Sequence, residues 1–354
     1  MKKEWDGIGI MSGTSLDGID LAWCHFTRKE EGNWDYRIEK AVTVPYTDDF
    51  RQRLADAPNL SALEYVKLNN EVAVVFAKAV NDWLGDGPRP DFIASHGHTV
   101  FHQPSIGLTM QIGNGAVIAA RTGIPTICDF RTKDVALGGQ GAPLVPIGDE
   151  LLFGEYDACL NLGGFSNISY RIDNKRIAYD ISPCNMALNT LANLAGLPYD
   201  KDGQLSRKGS VISDLLQKLD NLSYYHQNAP KSLGKEWFER DFWPVVDPFT
   251  QNHPITDVAR TIVEHIARQI IANVPKEAQT LLITGGGAHH TFLTQQIKNQ
   301  RDNLNVIVPD SLIVDYKEAL IFAFLGLLRL NGENNCLRSV TGAREDCCGG
   351  CIYL

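Results

Sequence analysis

Short apolar runs separated by glycine-rich turns set the rhythm of this chain. The first run, Ile8 to Met11, leads into the small polar turn Ser12-Gly13-Thr14-Ser15. A stretch of period-two alternation follows, with Ile19, Leu21 and Trp23 on one face and Asp20, Ala22 and Cys24 on the other. Two such runs joined by a turn predict a β-hairpin. Over residues 62–84 the period lengthens: Val72, Phe76, Val80 and Trp83 recur three or four apart. That spacing predicts an amphipathic helix, which Gly85-Asp86-Gly87-Pro88 ends. A strand over Phe92 to Ser95 then runs into His96-Gly97-His98-Thr99.

Residues 138–143, Gly-Gly-Gln-Gly-Ala-Pro, are loop material and a candidate domain boundary and hinge. Directly afterwards the opening pattern returns. Asp157 to Leu162 predicts a strand, Gly163-Gly164-Phe165-Ser166-Asn167 a turn and Ile168 to Arg171 a strand; a second turn at Asp173-Asn174-Lys175 leads into a strand over Arg176 to Ile181. Val258, Ile262, Ile266 and Ile270 mark another amphipathic helix, and Leu281-Leu282-Ile283 a short buried strand entering Gly285-Gly286-Gly287, with a helical segment beyond His289-His290. The most apolar stretch, Ala319 to Leu328, falls short of the ~20 residues that span a bilayer and reads as a buried helix. Alternating strands and helices predict an α/β class.

Composition narrows the function classes. A chain of 354 residues suits two lobes, and 44% hydrophobic with 21% charged residues is the balance of a folded protein. The formal charge of −9 argues against nucleic acid as partner, because phosphate-backbone binding needs a surplus of Lys and Arg. The opening residues carry no apolar leader, so the expectation is a cytoplasmic protein with no membrane partner. Eight cysteines in such a chain read as reduced thiols. For the tail Cys347-Cys348-Gly349-Gly350-Cys351 an ordinary reduced segment is favoured over a metal site.

Three glycine turns carry the first candidate chemistry. Successive backbone N–H groups in such a turn converge on phosphate oxygens, the hydroxyls of Thr14 and Ser15 add donors, and Asp17 offers a carboxylate to Mg²⁺. No Gly-Lys-Ser/Thr is present, which excludes a Walker A loop. Two matching hairpins gripping one nucleotide, with Gly285-Gly286-Gly287 against the adenosine, is the reading the pattern supports. His96, His98 and His102 suggest a zinc hydrolase; no further ligand set accompanies them, so no metal ligands are assigned.

The run Gly9 to Asp20, reading Gly-Ile-Met-Ser-Gly-Thr-Ser-Leu-Asp-Gly-Ile-Asp, resembles the phosphate-binding opening of the anhydro-N-acetylmuramic acid kinases, members of the acetate and sugar kinase, Hsp70 and actin superfamily. The likeness continues in order through His96-Gly97, His102-x-Pro104, Gln111 to Asn114, Asp129-Phe130-Arg131-x-x-Asp134 and Gly138 to Leu144. Asn161 to Gly164, Pro230-Lys231-Ser232, Gly285 to Ala288, Glu318-Ala319-Leu320 and Val340 to Ala343 complete it, so it spans essentially the whole chain.

That resemblance implies a two-lobed actin-like ATPase with ribonuclease H-like lobes and an interlobe cleft, residues 1–132 with about 332–354 forming one lobe and 133–331 the other. It implies ATP and Mg²⁺ as cofactors, with phosphates on Gly13, Thr14, Ser15, Leu16, Asp17, Gly18, Ile19, Asp20, Gly163 and Gly164. It implies an anhydro amino sugar substrate met by His96, Asp129, Arg131, Asn185 and Glu318, a water-activating base at Asp180, and room for a homodimer. Here the family's Asp-Thr-Gly-Pro-Gly-Asn reads Asp180-Ile181-Ser182-Pro183-Cys184-Asn185. Its Pro-Lys-Ser-Thr-Gly-Arg ends in Leu233-Gly234-Lys235, and its His-Gly-Gln-Thr carries His98. These departures bear on the substrate more than on the fold. A related sugar kinase with an altered substrate and a nucleotide or muropeptide sensor without turnover are the alternatives they leave open. Residue by residue, Asp180 reads equally as an N-cap for a helix near Asn185, Arg131 as half of a loop ion pair with Asp129 or Asp134, and Glu318 as a helix-dipole cap.

Overall fold

The computed structural model describes residues 2–13 and 16–354; Thr14 and Ser15, expected on phosphate, lie outside the described residues. The chain divides into two compact units, Met1–Phe153 with Tyr316–Leu354, and Gly154–Asp315. None of the described helices is long and apolar enough to cross a membrane.

In the first unit, β1 (Glu4–Ser12), β2 (Gly18–Arg28) and β3 (Trp34–Pro45) form an antiparallel meander. Then β4 (Phe92–Gln103) runs parallel to β1, β5 (Leu108–Ile112) folds back on the far end of β4, and β6 (Thr126–Cys128) lies parallel to β4. In the second unit, β7 (Ala158–Leu162), β8 (Phe165–Ile172) and β9 (Lys175–Pro183) form the meander, and β10 (Thr280–Thr284) and β11 (Asn305–Ile307) add in parallel beyond β7. Finally β12 (Cys351–Tyr353) pairs antiparallel with β6, closing the first sheet in the order β12-β6-β4-β1-β2-β3. The second sheet runs β11-β10-β7-β8-β9. Each unit therefore repeats one plan, a three-strand meander with parallel strands added beside its first strand, which is the ribonuclease H-like arrangement expected.

Local chemistry explains the elements. Helix Ala62–Leu84 starts where the Ser61 hydroxyl accepts the Glu64 N–H and stops at Gly85, whose φ of 55° suits glycine. The β8–β9 turn is Asp173-Asn174, with φ of 48° and 60°, the left-handed pair that matches strand twist in a two-residue hairpin. Alternation along β2 reads correctly on one face, where Ile19, Leu21 and Trp23 join the core under helix Ala62–Leu84. Its other face is buried as well: Ala22, Cys24 and Phe26 are covered, and the Phe26 ring lies 5.5 Å from that of Phe324 on helix Ser311–Leu330.

The unit boundaries, 153/154 and 315/316, differ from the expected 132/133 and 331/332. Loop 138–143 lies inside the first unit, which removes it as a boundary. The Gly141 N–H donates to Asp134 Oδ2 at 2.7 Å, the Gln140 N–H to Thr341 O at 2.8 Å, and Thr341 Oγ1 to Asp134 Oδ1 at 2.7 Å. Helix Pro146–Leu151 is fastened to helix Ser311–Leu330 by the buried Lys317–Asp149 ion pair at 2.6 Å. The turn chemistry of the six residues 138–143 is outweighed by this packing.

Helix Ser311–Leu330 approaches β1 so closely that a Cβ on Gly9 would overlap the Ala319 carbonyl oxygen. Gly9→Ala is expected to lower unfolding stability by about 1–3 kcal/mol, the usual penalty for overpacking. A urea denaturation midpoint equal to that of the parent chain would contradict this contact.

Candidate active site

In the first unit the expected residues gather beside the ends of β1 and β6 and the middle of β4. Gly97, at φ 76°, interrupts the alternation of β4 and sends His96 and His98 to different partners. His96 Nε2 accepts from Arg131 Nε at 3.2 Å and from Nη2 at 2.9 Å, since a guanidinium only donates; its Nδ1–H then donates to the Gly97 carbonyl at 2.9 Å. This fixes a neutral tautomer, and burial, with the Arg131 charge second, holds the His96 pKa well below its ordinary value. His98 Nδ1 meets Ser12 Oγ at 3.1 Å and is lowered to about 4 by burial; His102 Nδ1 meets Thr109 Oγ1 at 3.1 Å.

Arg131 also donates to the Gly141 carbonyl at 2.6 Å, and burial brings its pKa down to about 10. It makes no ion pair with Asp129 or Asp134. Asp134 is a buried structural carboxylate, as described above. Asp129, at φ 59°, has Oδ2 3.9 Å from Cys351 Sγ. The His96 ring packs 4.7 Å from that of Phe322, one helical turn after Glu318. Glu318 lies two turns inside helix Ser311–Leu330, so it is not a cap for that helix. Burial raises its pKa against the pull of Arg131, and its carboxylate makes no hydrogen bond among the described residues. A desolvated carboxyl group and a guanidinium fixed by its neighbours form a polar wall suited to a sugar.

The first turn contributes backbone. The Leu16 N–H reaches the Gly13 carbonyl at 3.3 Å, and Leu16, at φ 60°, offers its own carbonyl to Arg51. Asp17 is exposed, Gly18 pairs with Pro45 at the head of β2, and Ile19 buries its side chain. Asp20 Oδ1 accepts from Thr43 Oγ1 at 2.6 Å.

In the second unit the two glycine turns meet. Gly163 and Gly164 follow β7, and their carbonyls accept the N–H groups of Asn185, Cys184 and Met186 at 2.8 to 3.2 Å. Asn185 Nδ2 donates to the Leu162 carbonyl at 3.0 Å, and its Oδ1 sits where a Cβ on Gly287 would fall, 2.8 Å away. Gly285, at φ 81°, leaves no room for a side chain beside Asn161. By contrast Gly164 has open space where its Cβ would be and Gly286 nearly so, which leaves backbone open to a ligand. Asn185, expected on the sugar, thus ties the two glycine turns together.

Asp180 sits near the end of β9, half-buried. The register slips between the Ser166–Ser182 and Asn167–Asp180 pairs and leaves Ile181 as a bulge, a device that re-aims a side chain. Its Oδ2 accepts the Leu233 N–H at 2.9 Å. Its backbone carbonyl accepts Tyr224 Oη at 2.7 Å, and its N–H donates to the Lys231 carbonyl at 3.3 Å. Burial raises the carboxyl pKa and the Leu233 N–H opposes that rise. It does not cap helix Asn185–Leu194, whose N-cap is Cys184. Sequence reasoning did not assign Tyr224, Lys231 or Leu233 to the site; the Pro230-Lys231-Ser232 stretch was the available signal. The residues that depart from the family pattern, Ile181, Ser182 and Cys184, are buried, with Ser182 bonded to Ser166.

Comparison with known proteins gives one answer along the whole chain. The family model described as anhydro-N-acetylmuramic acid kinase matches residues 6–354. A protein of that name from Sulfurovum sp. (strain NBC37-1) is 35% identical over 98% of each chain. One from Vibrio vulnificus (strain CMCP6) is 36% identical over 98% of this chain and 97% of its own.

The Asp180 carboxyl is expected to titrate above the usual carboxylate range. A ¹³C-carboxyl aspartate NMR titration, with the Asp180 signal assigned by its loss in Asp180→Asn, measures this; a midpoint within the usual range would contradict the desolvated setting.

Proposed function

The chain belongs to the anhydro-N-acetylmuramic acid kinase family, and we propose on that footing that it phosphorylates 1,6-anhydro-N-acetylmuramic acid at O6 while water opens the anhydro bridge. The observation that carries this reading is the half-buried Asp180 carboxylate with one backbone N–H donor. Asp180 takes a proton from water, whose oxygen attacks the anomeric carbon. The bond from that carbon to O6 breaks, O6 attacks the γ-phosphorus of ATP, and ADP leaves. The product is N-acetylmuramic acid 6-phosphate, a form in which old cell-wall sugar re-enters metabolism.

The residues divide the work by their chemistry. Gly163, Gly164, Gly285, Gly286 and Gly287 let backbone approach the nucleotide, and the turn from Gly13 to Asp20 receives its phosphates. The exposed Asp17 carboxylate, with Asp20 nearby in sequence, fits a Mg²⁺ that keeps most of its waters and phosphate ligands. That ion supplies neutralisation of phosphate charge. Arg131, oriented by neutral His96, suits the lactyl carboxylate of a muramic acid, while Glu318 and Asp129 suit its hydroxyl and amide donors.

Incubation with Mg-ATP and the anhydro sugar, followed by mass spectrometry of the sugar product, tests the proposal. A gain of one phosphate and one water is expected. Binding of both ligands without product would overturn turnover in favour of a sensor, and phosphorylation without added water would overturn the role given to Asp180.

A further inference from the structure

All eight cysteines are free thiols, and two of them face each other across backbone. Cys336 and Cys347 form an isolated antiparallel bridge in which the Cys336 N–H donates to the Cys347 carbonyl at 3.0 Å and the Cys347 N–H to the Cys336 carbonyl at 3.1 Å. A pair that exchanges both bonds holds its Cα atoms about 5.5 Å apart. That lies well inside the window of about 4.4 to 6.8 Å that disulfides require. The two Sγ atoms and a carboxylate oxygen of Asp134 lie within 4.8 Å of one another. Asn335 holds the two segments in place: its Nδ2 donates to the Leu325 and Gly349 carbonyls at 3.1 and 3.0 Å, and its Oδ1 accepts the Gly349 N–H at 2.7 Å.

We propose that Cys336 and Cys347 are a redox-active dithiol that hydrogen peroxide converts into a disulfide, fixing the segment behind the Asp129–Asp134 stretch. The two thiols differ in the way such a reaction needs. Cys336 Sγ donates to the Phe130 carbonyl at 3.7 Å and to Asn335 Oδ1 at 3.8 Å, which hold its proton in place. The Cys347 thiol is lowered by its Cys336 neighbour against burial and the Asp134 carboxylate, with Lys133 a smaller aid. Cys347 is therefore the nucleophile and Cys336 the resolving thiol. Cys347 is buried, and the exposed Glu345 and Asp346 directly precede it in the chain. The second facing pair, Cys128 and Cys351, lacks this asymmetry: burial pushes Cys128 up to about 12, and burial with the Asp129 carboxylate raises Cys351.

The step balances as follows. The Cys347 thiolate attacks one peroxide oxygen, the O–O bond breaks, and the departing hydroxide takes a proton to leave as water. The resulting sulfenic sulfur is attacked by Cys336, which gives up its proton. The S–O bond breaks and a second water leaves. Two thiols and one peroxide give one disulfide and two waters.

The test treats the folded full-length protein with one equivalent of hydrogen peroxide, caps remaining thiols with N-ethylmaleimide in denaturant, and maps tryptic peptides. The expected result is loss of two of the eight thiols and a reducible link between Leu330–Arg338 and Glu345–Leu354. The Cys348→Ser/Cys351→Ser variant should retain that link, and Cys336→Ser should abolish it while leaving a dimedone-reactive Cys347. Linkage through Cys348 or Cys351, or faster loss of any other thiol, would overturn the proposal. So would a pair unreactive to peroxide until a chelator is added, which would instead mark Asp134, Cys336 and Cys347 as a bound-metal site.

Discussion

A half-buried carboxylate with a single N–H donor, Asp180, is the constraint on which the chemistry proposed for this protein rests. Full burial raises a carboxyl pKa by up to about 3–5 units, whereas two or three N–H donors bring it below about 2. Asp180 stands between these limits, half-buried, with Leu233 as its one donor to the carboxylate. In the proposed reaction, more donors would leave it too weak a base to take a proton from water. None at all would favour the protonated acid, which takes none.

Everything that touches Asp180 from below serves to hold that balance. The Ile181 bulge turns the residue at the strand end, Tyr224 and Lys231 fix its backbone, and the Lys231 ammonium sits 4.8 Å over the Tyr224 ring. In the same unit Asn185 joins the turns after β7 and β10, with glycine wherever a side chain would fill the contact. The first unit builds its wall beside the ends of β1 and β6 and the Gly97 break within β4, with a neutral histidine directing a guanidinium. Strand ends are where side chains from neighbouring strands converge while their backbones remain fixed by the sheet.

Much of this was legible in the sequence because the signals were local. The glycines of the turn expected over Gly163 to Asn167, of which Phe165 onward proves to be β8, the turn residues Asp173-Asn174, the spacing of Val72, Phe76 and Val80, and the apolar run after Glu318 each announced an element that is present. His290 likewise caps helix Thr291–Asn299, accepting the Leu293 N–H. What stayed hidden was long-range. Strands β3 and β12 carry mixed patterns and are strands because β2 and β6 pair with them. Loop 138–143 looked like a boundary since glycine and proline mark turns but not what binds them; Asp134 and Thr341, 207 residues apart, do that. The contacts of Asn185 stayed hidden for the same reason, because Leu162 and Gly287 are distant from it in sequence.

The measurement that bears most directly on this account separates catalysis from binding at one atom. Asp180→Asn keeps the size and the Leu233 contact but cannot accept a proton from water. Turnover is predicted to fall by about 10²–10⁴-fold, with nucleotide affinity by calorimetry within about twofold of the parent chain, because the glycine turns are untouched. Equal turnover in the variant would contradict the account.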